Sequence, residues 1–222
     1  MFLSKISVLP SAHSAEELFK LGKNGAYASH QLLWRLFTEQ QARNFLYREE
    51  MNSNGLPSYL VLSQTPPAND TPLFAIQSKA FTPRLSTGTR LGFSLRVNPT
   101  ISVKDEQGKS KRHDVMMHAK YLAAKEGISD SKHIQQRMDE AALRWISDAD
   151  RLERWGFRLE AMPSIESYTQ HKTNGKQRIQ FSSVDYQGVL TVDDPDKFLE
   201  QYAKGYGKAK SMGCGLMLIR PV

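Results

Sequence analysis

Tyr27, His30 and Trp34 stand at i, i+3 and i+7 in the stretch AYASHQLLWRLF. On a helix that spacing puts them on one face, which Leu33 and Phe37 extend into an apolar core. An imidazole titrates near about 6.5, so at neutral pH it can take up a proton or deliver one. A phenol beside it can orient a phosphate or share the proton work. Spacing alone leaves a second reading open, a histidine buried at a helix edge and satisfied by one hydrogen bond. His13, His113, His118, His133 and His171 show no metal-ligand spacing, and no metal is expected.

A second group lies near the end of the chain, in KGYGKAKSMGCGLM. Gly205, Gly207, Gly213 and Gly215 flank Lys208, Lys210 and Ser211. Glycine lets a ligand approach the main chain closely, and successive N–H groups can cradle an anion that the lysines would favour. Neither the Walker pattern nor the dinucleotide fingerprint fits this spacing. A plain turn between a last helix and a last strand, or a loop that packs two domains together, is the alternative. A third group is HKTNGKQR, which offers His171, Lys172, Lys176 and Arg178 around Asn174-Gly175. Its alternative is a solvated loop. Arg151, Arg154 and Arg158, interrupted by Glu153, form a weaker basic group.

These residues need elements to hold them. The 222 residues are 40% apolar and suit one large domain or two small ones. Net charge is +7, from 30 Lys+Arg against 23 Asp+Glu, which favours an anionic partner such as nucleic acid. No apolar run approaches a membrane span, and the N-terminus does not read as a signal peptide. The one cysteine, Cys214, excludes an intrachain disulfide, and the cytoplasm is the expected compartment.

Alternation and turn residues predict strands over residues 1–8, 42–51, 58–67, 73–81, 91–103, 156–170, 176–192 and 216–219. Helical spacing predicts helices over 26–37, 115–126, 131–155 and 193–202. Residues 105–112 read as a charged turn, and 13–25 as a surface insertion. Asn174-Gly175 marks the tip of a hairpin. The order is β-α-β-β, an extra strand, then β-α-β-β-α-β. The second half is ferredoxin-like and the first a partial copy. The expected fold is α+β: tandem ferredoxin-like (RRM-like) domains with antiparallel sheets. The N-terminal domain would cover 1–88 and carry the His30 helix. The C-terminal domain would cover 89–222 and carry the basic hairpin and the glycine loop. No aromatic ribonucleoprotein signature supports base stacking on the sheet faces.

Together, YASHQLLWRLF, FSLRVNP, YQGVLTV and GKAKSMGCGLM resemble the CasE family, the CRISPR-associated endoribonucleases of type I-E systems. The resemblance runs the whole length and is most specific in AKSMGCGL. It implies a protein that binds the stem-loop of CRISPR repeat RNA and cuts pre-crRNA once at the 3′ base of the stem. The nucleophile would be the RNA's own 2′-OH, with no metal or cofactor and a 2′,3′-cyclic phosphate product. The family's catalytic histidine falls on His30, its tyrosine on Tyr27, and its glycine-rich loop on Gly205, Gly207, Gly213 and Gly215. Lys210 and Ser211 would meet the phosphate at the cut, beside Lys208. Lys172, Lys176 and Arg178 would grip the stem. The resemblance further implies a free monomer that stays on the crRNA beside other Cascade subunits. Two rival classes remain: a non-catalytic RNA-binding subunit on the same fold, and an enzyme that uses the glycine loop for a nucleotide cofactor.

Overall fold

In the computed structural model of this chain, the residues described are 1–11, 16, 28–37, 44–68, 71–172 and 180–222. Tyr27, Lys176 and Arg178 lie outside them, as do the hairpin tip and all of the expected insertion except Glu16.

The first sheet is built from β1 (Phe2–Val8), β2 (Phe45–Met51), β3 (Pro57–Ser63) and β4 (Phe74–Ala80). Its order is β2-β3-β1-β4, every pair antiparallel. β2 and β3 join through a turn in which the Asn52 carboxamide oxygen accepts from the N–H groups of Asn54 and Leu56. Helix α1 (Ala28–Trp34) covers one face. Its Leu32 and Leu33, with the following Leu36 and Phe37, pack on Ile6, Val8, Phe45, Tyr47, Tyr59, Val61 and Phe74. Among the described residues no helix links β3 to β4, so this sheet has the ferredoxin-like strand order with half its helical cover.

The second sheet uses β5 (Arg90–Val97), β8 (Phe157–Leu159), β9 (Ser164–Lys172), β10 (Gln180–Val192) and β11 (Met217–Pro221). Its order is β11-β5-β10-β8, again antiparallel, with β9 also on β10. β8 lies along Leu190–Val192 and β9 along Gln180–Gln187, so two short strands share one strand position. The expected strand at 156–170 is therefore broken, at a bend that contains Pro163.

The crossover from β5 is long. It holds a β6–β7 hairpin (Thr100–Lys104, Ser110–Asp114), then α2 (Val115–Lys125), α3 (Ser131–Ile146) and α4 (Ala149–Trp155). Three expectations fail here. The single strand at 91–103 is two, since β5 ends at Val97 and β6 belongs to the separate ribbon. The charged turn at 105–112 is the end of a two-stranded ribbon, with β7 beginning at Ser110. The single helix at 131–155 is two, because Asp148 turns out of the helix and caps α4 by accepting from the Arg151 N–H. After β10, α5 (Pro195–Lys204) opens with Asp194 as its cap and Pro195 in its first turn. β11 runs to Pro221, two residues beyond the expected strand.

The second core gathers Leu95, Val97, Met116, Trp145, Tyr186, Phe198 and Tyr206, and it extends to Leu46 and Leu62 of the first sheet. The first sheet is thus covered by α1 on one face and by the second unit on the other. At the joint, Arg96 is held within the second sheet by two bonds to Asp185, at 2.8 and 2.9 Å, and crosses to the first by donating to the Glu49 carbonyl at 2.8 Å. Arg48 donates to the Ser94 hydroxyl at 2.9 Å.

Candidate active site

α1 places His30 where the sequence expects it, at the edge of the first core. The ring is only 8% exposed. It lies 5.4 Å from the Trp34 ring and 5.9 Å from that of Phe45, centroid to centroid. One residue before it, the Ser29 hydroxyl donates to Glu49 at 2.6 Å and accepts from the Tyr59 hydroxyl at 3.3 Å. Burial, followed by the Glu49 charge, pushes the Tyr59 phenol well above its ordinary pKa, so it stays a donor. This Tyr59–Ser29–Glu49 chain ties α1 to β2 and β3 beside the imidazole. Its members come from three separate elements, and only a cross-strand register, which the sequence does not display, brings Tyr59 opposite Glu49.

The glycine loop reaches His30's neighbourhood by clasping the edge strand β2. A Cβ on Gly205 would stand 2.6 Å from Leu46, and one on Gly213 would stand 3.2 Å from the Tyr47 ring. Leu46 and Tyr47 are consecutive, so their side chains point to opposite faces of the sheet. The loop therefore passes round the edge from one face to the other. Between the two glycines lies a 3-10 turn, Lys210–Met212, which packs against both α1 and β2. The Tyr47 hydroxyl donates to the Ser211 carbonyl at 3.0 Å and fixes the turn.

The glycines of this loop lie close against other parts of the protein. Gly205, Gly213 and Gly215 are buried, and Gly207 is half-buried with its missing Cβ only 2.3 Å from Val97. Two of their N–H groups are used inside the protein: that of Gly215 on the Arg96 carbonyl at 2.7 Å, that of Gly205 on the Gln201 carbonyl at 2.8 Å. The glycines are there because protein comes close, with positive φ at all four. That is the packing alternative. What the loop shows outward is Lys208, exposed, and the half-buried Lys210 and Ser211. The Lys210 amine donates to the Lys204 carbonyl at 2.6 Å, at the C-terminus of α5 where a cation is favoured. Burial pushes the Cys214 thiol up to about 12, so it is no nucleophile at neutral pH.

Of the basic hairpin, Lys172 is exposed at the end of β9, opposite Gln180. His171 is not at the tip. Its ring stacks on Phe181 at 4.4 Å, and its Nε2 lies 2.9 Å from the Ser183 hydroxyl. Burial first, then the Arg96 charge, lowers its pKa, so it is a poor phosphate ligand. Two members of the third basic group are likewise held by protein. Arg151 lies over the Trp145 ring at 4.4 Å, and Arg158 pairs with Asp193. Among the described residues, no three His, Cys, Asp or Glu are grouped so as to hold a metal ion.

A family model described as CRISPR associated protein matches residues 1–221. The chain belongs to this CRISPR-associated protein family. Among curated relatives, the CRISPR system Cascade subunit CasE of Escherichia coli is 26% identical over 225 residues, covering all of both chains. The CRISPR-associated endoribonuclease Cse3 of Thermus thermophilus is 26% identical over 242 residues, with the same full coverage. A solved structure of CRISPR endoribonuclease Cse3 bound to 19 nt RNA aligns with a TM-score of 0.71, at 25% identity over 99% of each chain. The Escherichia coli Cas6e crystal structure aligns with a TM-score of 0.67, at 25% identity over the whole of both. These matches agree with the α+β architecture of two antiparallel, ferredoxin-like sheets. Among the described residues, no helix is long and apolar enough to cross a membrane.

Proposed function

We propose that this chain is a metal-independent endoribonuclease that binds the stem-loop of CRISPR repeat RNA. It cuts pre-crRNA at the 3′ base of the stem and stays on the product as a Cascade subunit. The observation that carries this is the loop clasped round β2, which sets a lysine-bearing turn against the helix of His30. The family membership and the RNA-bound relative supply the substrate class.

In the step proposed, the 2′-oxygen bonds to phosphorus while the bond from phosphorus to the 5′-oxygen breaks. One proton leaves the 2′-oxygen and one reaches the 5′-oxygen, giving a 2′,3′-cyclic phosphate and a 5′-OH. His30 handles one of these protons, and Tyr27 assists. Charge grows on the phosphate oxygens as the bond breaks, and Lys210, with Ser211 and Lys208, meets it. Lys172, Lys176 and Arg178 hold stem phosphates. The buried glycines serve by fixing the turn. Residues 1–88 and 89–222 act as two units, with the joint running along β2.

One observation favours a second reading. His30 is buried between two aromatic rings, which also suits a non-catalytic RNA-binding subunit. Cleavage separates the two. The protein is expected to cut repeat RNA in excess EDTA, and to bind a repeat with a 2′-deoxy sugar at the cut site without cutting it. A metal requirement, or cleavage of the deoxy substrate, contradicts the mechanism. Binding of both RNAs without any cleavage selects the second reading.

A further inference from the structure

The charged segment that opens the long crossover has no part in the site above. Residues 104–125 hold six lysines and arginines against three carboxylates, a surplus of three within 22 residues of a chain whose net charge is +7. One of those carboxylates, Asp114, is turned inward. It caps α2 by accepting from the Met117 N–H and takes a bond from the Ser182 hydroxyl. Asp105 pairs with Lys111 at 3.4 Å, an exposed contact that contributes little.

Above this charge stands a ladder of rings. His113 of β7 lies 5.4 Å from His118 of α2, and His118 lies 6.4 Å from Tyr121. The Lys125 amine sits 4.9 Å from the centre of the Tyr121 ring. A tyrosine on a solvated helix has no structural need for such company, yet Tyr121 is 54% exposed, with Leu122 beside it at 42%. Exposed rings set among lysines are what unpaired nucleobases and their phosphates use together.

The surface also leads somewhere. An open cleft of about 860 Å³ lined by Lys104, Lys111, Tyr121 and Lys125 shares His113, Asp114 and Met117 with a second cleft of about 560 Å³. The second runs past Arg112 to Gln170 and Gln180, the latter paired with Lys172 at the base of the basic hairpin. A strand that leaves a stem held by that hairpin would find rings and cations on one continuous path.

We infer that the β6–β7 ribbon and the outer face of α2 bind single-stranded RNA flanking the stem-loop, with bases stacked on Tyr121 and His118 and phosphates on Lys104, Lys111 and Lys125. The inference rests on the proposed stem-loop substrate, but the stem itself does not use this surface. A folded RNA helix would not suit it, since stacked bases cannot lie on rings.

The test uses two RNAs, the repeat stem-loop alone and the same stem-loop with about ten unpaired nucleotides beside it. The wild-type protein is expected to bind the extended RNA about tenfold more tightly, within the range that one stacked base contributes. Tyr121→Ala, and separately Lys104→Gln with Lys111→Gln and Lys125→Gln, should remove most of that gain. Both variants should bind the bare stem-loop within about twofold of wild type and cut it at the normal rate. All four side chains are on the surface, so the fold should hold. An absent gain overturns the inference, as does a gain that both variants retain; the latter leaves this face to a protein neighbour or to solvent. Failure of wild type to bind the bare stem-loop is a separate result, which sinks the proposed substrate. The unpaired oligonucleotide alone then decides this surface, through loss or retention of binding in the two variants.

Discussion

The two sheets have the same strand order but very different cover. The second carries four helices and a ribbon, and its core runs from Leu95 through Trp145 to Tyr206. The first carries one described helix of seven residues, and its other face is closed by the second unit. The thickly covered sheet is a scaffold. The thinly covered one leaves the edge of α1 within reach of a loop that the scaffold supplies. This asymmetry sets the buried His30 at an edge that the scaffold's loop reaches.

The largest effects should come from the two cores. Leu33 of α1 and Leu95 of β5 are both fully buried. Each changed to Ala should cost about 3 kcal/mol in urea unfolding. Below the melting transition their activities should part. Leu33→Ala should lose cleavage rate because its helix carries His30, whereas Leu95→Ala should keep it. Equal activity losses would erase the distinction between scaffold and site.

A smaller effect tests the clasp. Tyr47→Phe removes the bond to the Ser211 carbonyl and should cost about 1 kcal/mol of stability. If the turn is what meets the phosphate, the same change should slow single-turnover cleavage more than it weakens RNA binding. An unchanged rate would mean that the turn is positioned by the glycine contacts alone.

The smallest concerns the joint. Burial pushes the Asp185 carboxyl up, but the Arg96 hydrogen bonds and charge outweigh it and hold the pKa below the ordinary value. A depressed carboxylate adds stability that is present above the unfolded value of about 3.9 and is lost as pH falls through the folded one. Asp185→Asn should therefore lose less stability than wild type on acidification from about pH 4 to 2. An identical acid limb would show that the pair does not couple to folding.

The strands of both sheets were legible because one or both faces are apolar, and α1 because its buried residues recur at helical spacing. In the β6–β7 ribbon, β6 was read only as a continuation of β5, and β7 was missed because its side chains are charged and exposed on both faces. The break at Asp148 was hidden because apolar residues continue the helical period on both sides of it. His30 could be found from its neighbours on one helix. The packing of the glycines was open only as an alternative, because Leu46, Tyr47 and Val97, which they approach, lie more than a hundred residues away in the chain. The Tyr59–Ser29–Glu49 chain was invisible for the same reason.

The central claim is that the buried ring on α1 moves a proton rather than merely filling the edge of the core. Single-turnover cleavage of repeat RNA, measured beside RNA affinity and thermal melting for His30→Ala and His30→Gln, tests it most directly. Both variants should melt as folded proteins and bind the repeat within a few-fold of wild type, while the rate falls by about 10²–10⁴. A folded variant that cuts at the wild-type rate would contradict the account.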